Sequence, residues 1–120
     1  MSPSGLADLQ VDRSAGGIMF ATVRGEIDDS NAAELGRTIT AQVASADRML
    51  AVDLTHVSYM DSTGVELLFG LARQLQARRQ SLIVVVPPRS GVRRVLELCD
   101  IGSAAKLVSA RDDVAAHDGG

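Results

Sequence analysis

Aromatic residues and cysteines are scarce in this chain of 120 residues. It has two phenylalanines, one tyrosine, no tryptophan and a single cysteine, Cys99. So few aromatic rings cannot build the stacking platform on which proteins bind single-stranded nucleic acid. One cysteine can form neither an internal disulfide nor a multi-thiolate metal site. We therefore expect an aliphatic core, no bound metal and a reducing cytoplasmic location.

Long apolar stretches and an excess of positive charge are also missing. Twelve Lys and Arg residues stand against 15 Asp and Glu residues, a formal net charge of -3, which argues against a general binder of nucleic-acid phosphates. No segment approaches the roughly 18 uninterrupted apolar residues of a membrane helix. The first ten residues lack the basic and apolar regions of a secretory signal. We expect no nucleic-acid partner and no membrane insertion.

The pattern of apolar residues predicts alternating strands and helices within one domain over residues 1–120, with a core of about residues 6–116. Strands are expected at 6–12, 18–23, 49–54, 82–86 and 106–108, with the motif that begins at Gly25 breaking the second. The first helix is expected to begin at residue 30 and the second to cover about 62–79. The third is expected to begin at residue 90 and to end at Gly102, and the last to cover 109–116. This order, ββαβαβαβ(α), predicts an α/β fold in which a mixed sheet of four to five strands packs with about four helices.

Signatures of enzymes are weak or missing. Two histidines sixty-one positions apart and one cysteine cannot supply a zinc site, and neither standard phosphate-binding glycine loop is present. A serine hydrolase triad of Ser62, His56 and Asp53 or Asp61 is an alternative, but Met60 stands where the nucleophile motif G-x-S-x-G requires glycine. We expect no catalytic residue and no cofactor. The single Cys99 lies in phase with Val92 on the third predicted helix, and we expect it to be a buried structural residue.

The segment M-D-S-T-G-V at positions 60–65 joins a predicted strand to a predicted helix. Asp61, Ser62 and Thr63 are all good N-cap residues, so the simplest role of the segment is to begin the helix. Three such side chains are more than one cap requires. The free N–H groups and the dipole at a helix N-terminus tolerate an anion. Ser62 is therefore a candidate phosphorylation site.

The chain resembles the STAS domain family, in the branch of bacterial anti-sigma factor antagonists. The likeness rests on G-E-I-D at 25–28, followed by a helix with Ala33 and Leu35, and on Y-M-D-S-T-G-V at 59–65. The segment V-R-R-V-L-E-L at 92–98, followed by Gly102, is similar to the third helix of the family. The resemblance covers roughly residues 6–116 and implies the STAS fold.

The resemblance implies a phosphoprotein that regulates transcription by partner switching. In the family, the serine that corresponds to Ser62 is phosphorylated by an anti-sigma factor, a serine kinase of the histidine-kinase-like ATPase fold. The unphosphorylated antagonist binds that kinase and so releases a sigma factor, and a PP2C-type phosphatase restores the binding form. Ser62 is then a substrate, and this chain is not an enzyme.

The expected partner-binding residues are those of the two motifs: Asp28, Asp61, Ser62, Thr63 and Gly64. Asp28 corresponds to a family position beside the phosphorylated loop, and Gly64 is expected to let the partner approach that loop closely. A second interpretation keeps the fold and changes the role, because isolated STAS domains also serve as subunits of lipid-transport or other signalling complexes.

Overall fold

Five strands form one sheet in the order in which they occur along the chain. The computed structural model describes residues 7–115. The strands are β1 (Ala7–Arg13), β2 (Ile18–Ile27), β3 (Met49–Met60), β4 (Ser81–Val85) and β5 (Lys106–Val108). β1 runs antiparallel to β2, and every later neighbour is parallel. A parallel pair needs a crossover connection, which the helices provide.

Three α-helices connect the parallel strands: α1 (Ala32–Gln42), α2 (Ser62–Ala77) and α3 (Gly91–Leu98). Two short 3-10 turns follow, Ile101–Ser103 and Arg111–Asp113. The predicted mixed α/β class is confirmed, with three α-helices in the described residues where about four were expected. Of the last predicted helix, the described residues form little more than one turn, with Val114 as its buried residue, and residue 116 lies outside them.

Both faces of the sheet are covered, but by different parts of the chain. The larger cluster packs alternate strand residues against the apolar faces of the three helices. The smaller cluster lies on the other face, where fully buried Val114 packs with Phe20 and their neighbours. The guanidinium of Arg111 stacks 3.9 Å from the centroid of the Phe20 ring, a cation–π contact. The chain after β5 therefore covers the second face.

β2 and β3 are longer than predicted, and the expectation that the chain leaves β2 at Gly25 is wrong. β2 continues to Ile27 with Gly25 at φ 104°, and β3 continues to Met60. Their pairing shifts register between Thr22 and Arg24 and again after Gly25. Such bulges break the alternation of inward and outward side chains. The sequence of this part of the sheet therefore lacks the two-residue alternation of apolar and polar residues that identifies a strand.

The expectation that Cys99 is a buried residue of the third helix is also wrong. α3 ends at Leu98, and the exposed Cys99 is its C-cap. Asp100 then takes the left-handed conformation, with φ 58°, so the helical path does not continue beyond Cys99. Val92 and Leu96 are the buried residues of α3.

Candidate functional site

The two sequence motifs meet at one end of the sheet. Ile27 and Met60, the last residues of the parallel neighbours β2 and β3, are paired in register. The backbone N–H of Asp61 donates to the carbonyl oxygen of Ile27 at 3.2 Å. The loop at 28–31 and the segment at 61–64 therefore lie side by side, and together we call them the loop pair.

Asp61 caps α2 and is held as an anion. Its carboxylate accepts hydrogen bonds from the backbone N–H of Thr63 at 2.9 Å and from the Thr63 hydroxyl. The Thr63 hydroxyl contributes most to lowering the pKa of Asp61 below its ordinary value; burial opposes this, and backbone N–H groups, including that of Asp29, assist it. An anionic side chain at this position complements the dipole of α2.

Ser62 and Thr63 differ in what their hydroxyls contact. Ser62 is the exposed first residue of α2, and within the described part of the chain its hydroxyl has no hydrogen-bond partner. Thr63 is half-buried, and its hydroxyl donates to Asp61. Of the two neighbouring hydroxyls, that of Ser62 is the accessible one.

Gly64, the last residue of the loop pair, is buried. A Cβ at this position would lie 2.5 Å from Cγ of Met60 and 3.1 Å from Cγ2 of Ile27. Packing inside the domain is thus sufficient to require glycine here. The expectation that Gly64 allows a partner to approach stays a prediction.

The loop at 28–31 is fixed by its own side chains. The Asp28 carboxylate accepts from the backbone N–H of Ser30 at 2.9 Å and from the Ser30 hydroxyl at 2.6 Å. Asn31, which sequence reasoning missed, is only 1% exposed. Its amide contacts one backbone group of the same loop, the N–H of Asp28, and one of β2, the carbonyl oxygen of Glu26. The one available signal was an asparagine immediately before a helix, which usually indicates a simple cap.

The structure does not bring together the residues of a hydrolase triad. His56 is exposed on β3, four positions before Met60, a distance of about 13 Å along the extended strand. The Asp53 carboxylate accepts from the backbone N–H of Thr55 at 2.9 Å. Within residues 7–115 no group of three or more His, Cys, Asp or Glu side chains could hold a metal ion, and no helix there could span a membrane.

Comparison with known proteins gives one family and several relatives. The family model described as "STAS domain" matches residues 11–114. BtrV of Bordetella bronchiseptica, provisionally named as an anti-sigma factor antagonist, is 28% identical over 100 residues, which cover 83% of this chain and 85% of BtrV.

Solved structures share the fold. The crystal structure of an anti-sigma factor antagonist from Mycobacterium paratuberculosis covers the whole of both chains with a TM-score of 0.84 and 25% identity. The antagonist SpoIIAA has been solved unphosphorylated, with a TM-score of 0.67, 23% identity and coverage of 91% of this chain and 94% of SpoIIAA. Its phosphorylated form gives a TM-score of 0.64, 21% identity and coverage of 91% and 98%.

Proposed function

This chain belongs to the STAS domain family, and from this membership we propose that it is an anti-sigma factor antagonist switched by phosphorylation of Ser62. With a free Ser62 hydroxyl it binds an anti-sigma factor that is also a serine kinase, and the sigma factor is released. Phosphorylation ends this binding, and a PP2C-type phosphatase reverses it. The names of BtrV and of the mycobacterial protein support the role, as does a shared fold with SpoIIAA, which has been solved in a phosphorylated form.

The observation that carries the proposal is the accessible hydroxyl of Ser62 at the start of α2. Phosphoryl transfer requires the acceptor oxygen to reach the phosphate in line, with its proton directed to a base. The Thr63 hydroxyl already donates its proton to Asp61, so a kinase would first have to break that hydrogen bond. The kinase supplies ATP, magnesium and the base, and this chain supplies a presented hydroxyl.

The charges around Ser62 explain how a phosphate would end binding. A phosphoserine adds about -1.5 to -2 charge near pH 7, directly beside the Asp61 carboxylate. That carboxylate already accepts from the Thr63 N–H at the start of α2, so the phosphate would share the positive end of the helix dipole with a second anion. In the free domain, water and salt screen the charge. At an interface, an unpaired desolvated charge costs several kcal/mol, and about 2.7 kcal/mol already weakens binding a hundredfold.

Phosphate mapping combined with calorimetric titration tests the proposal. Serine kinases of the histidine-kinase-like fold from the same genome are incubated with the chain and ATP, and the modified residue is identified by mass spectrometry. We expect phosphate on Ser62. Ser62→Ala should bind the kinase like wild type but stay bound in ATP, and Ser62→Asp should bind about a hundredfold more weakly.

Thermal melts provide the control for both Ser62 variants. Because Ser62 is exposed, each should melt within a few degrees of wild type, so that a change in affinity cannot be attributed to unfolding. Phosphate on Thr63 with Ser62 unmodified would contradict the proposal. Wild-type affinity in Ser62→Asp would contradict it equally.

A further inference from the structure

Asn31 occupies the N-cap position of α1 but does not cap that helix. Asparagine is favoured at this position because its side-chain oxygen accepts from an N–H of the first helical turn. Here Oδ1 accepts instead from the backbone N–H of Asp28 at 3.1 Å, and Nδ2 donates to the carbonyl oxygen of Glu26 at 2.9 Å. A buried amide that could cap α1 is thus turned back onto the end of β2.

The segment that Asn31 holds is the one that contacts Asp61. Ile27 lies between the two residues bonded to the Asn31 amide, and its carbonyl oxygen accepts from the Asp61 N–H at 3.2 Å. The backbone N–H of Asp29 also helps to lower the pKa of the Asp61 carboxylate. Ser62 follows Asp61 directly. Hydrogen bonds therefore run from the buried amide of Asn31, through the end of β2, to the residue that precedes the exposed hydroxyl.

We propose that Asn31 is a positioning residue that fixes the Ser62 hydroxyl relative to the loop at 28–31. The inference rests on the proposed function, because it assigns Asn31 a role in presenting Ser62 to a kinase. A kinase that contacts both halves of the loop pair meets them at the separation set by these hydrogen bonds. A misplacement of about 1 Å in a reacting group can cost roughly a hundredfold in rate.

Neither serine nor aspartate can make the same bridge. Serine is as good an N-cap as asparagine, but it is too short to reach the Glu26 carbonyl oxygen and the Asp28 N–H together. Aspartate keeps an acceptor for the Asp28 N–H, but it lacks the donor for the Glu26 carbonyl oxygen. Asn31→Ser therefore retains the capacity to begin α1 while removing the bridge, and Asn31→Asp removes half of it.

Gln80 provides a matched control at the opposite end of the sheet. It is also a buried amide, 7% exposed, and its Nε2 donates to the carbonyl oxygens of Ala44 at 2.9 Å and Asp47 at 2.5 Å. It lies just before β4 begins, whereas Ser62 follows the end of β3. Gln80→Ala should therefore lower thermal stability as Asn31→Ser does, without affecting the loop pair.

The experiment measures amide hydrogen exchange by NMR and, separately, the kinetics of phosphorylation. In Asn31→Ser we expect the Asp61 amide to exchange at least tenfold faster relative to the amides of the core strands, with a smaller increase in Asn31→Asp and none in Gln80→Ala. With the kinase that phosphorylates wild type, kcat/KM for Asn31→Ser should fall about tenfold or more, chiefly in kcat, measured well below the melting temperature. Gln80→Ala should stay within twofold.

The outcomes distinguish failure of the positioning role of Asn31 from failure of the proposed function. If exchange at Asp61 is unchanged in Asn31→Ser, or rises equally at all amides, the positioning role is wrong. The role is also wrong if exchange rises at Asp61 but phosphorylation of Ser62 keeps its wild-type kinetics. If exchange rises selectively at the Asp61 amide while no kinase phosphorylates wild-type Ser62, Asn31 does hold Asp61 in place but the proposed function is wrong.

Discussion

Gly64 and Gly70 both lie in α2, but their surroundings differ. A Cβ at Gly64 would lie 2.5 Å from Cγ of Met60, whereas at Gly70 it would meet only the Arg73 guanidinium, at 3.9 Å. Alanine is favoured over glycine by about 1 kcal/mol within a helix. At Gly64 the clash with a buried side chain outweighs that preference, because overpacking typically costs about 1–3 kcal/mol.

We predict that Gly64→Ala lowers the free energy of unfolding by about 1–2 kcal/mol. We predict that Gly70→Ala raises it by up to about 1 kcal/mol. Urea unfolding of both variants at neutral pH measures the difference. If the two substitutions shift the midpoint in the same direction, packing around Gly64 is not what requires glycine there.

Individual residues of the loop pair differ in how far the sequence could identify them. Asp61 and Ser62 could be identified because carboxylate and hydroxyl side chains at a helix start have an obvious chemistry. Asn31 could not, because its partners are backbone atoms of Glu26 and Asp28, and backbone partners leave no pattern among side chains. These residues meet at the end of β2 and β3, whose pairing contains two shifts in register. Such shifts leave no periodic pattern in the sequence.

At the scale of a helix, Asp61 is the cap on which the start of α2 depends. Its carboxylate accepts from the Thr63 N–H and the Thr63 hydroxyl. Asparagine ranks with aspartate as a cap, whereas alanine has no acceptor. We predict that Asp61→Ala lowers the melting temperature by a few degrees and that Asp61→Asn lowers it less. Equal losses measured by circular dichroism would show that the side chain does not act through capping.

Among the strands, the sequence predicts β4, which is buried on both faces, but not the second half of β3, whose residues are largely exposed. β4 was predicted because its branched aliphatic residues are covered on both faces, and Leu82, Ile83, Val84 and Val85 are indeed all buried. The second half of β3 was missed because its polar side chains point outward between bulges, so that only Val57 and Met60 face the core.

The end of α3 could not be predicted from the spacing of apolar residues. Cys99 was misplaced because helical spacing continues in the sequence even where the helix has ended.

For the whole molecule, an ion pair between distant segments makes stability depend on pH. The Asp47 carboxylate, buried in the turn before β3, accepts from Nε and a terminal nitrogen of Arg13, both at 3.0 Å, at the end of β1. The hydrogen bonds from Arg13 lower the pKa of Asp47 most; burial opposes this, and the Ala44 N–H assists it. The folded chain therefore holds this carboxylate ionised at a pH where the unfolded chain protonates it.

It follows that the stability contributed by Asp47 is present above the unfolded pKa, about 3.9, and is lost as pH falls through the lower folded pKa. We predict that Asp47→Asn costs roughly 1–2 kcal/mol at pH 7 and loses less stability than wild type between pH 5 and 3. Urea midpoints across this range measure the effect. If Asp47→Asn keeps the acid slope of wild type, the prediction is refuted.

The order of strands in the sheet has a consequence for how the chain is made. Every strand pairs with its neighbours in sequence, so during synthesis each new strand emerges beside a partner that is already available. When the sheet assembles in the direction of translation, no strand has to pair with one that is synthesised much later. This favours rapid folding of a largely parallel sheet. Arg111 and Val114, which pack against Phe20 on the second face, arrive after the sheet is complete. That face therefore stays uncovered longest while the nascent chain leaves the ribosome.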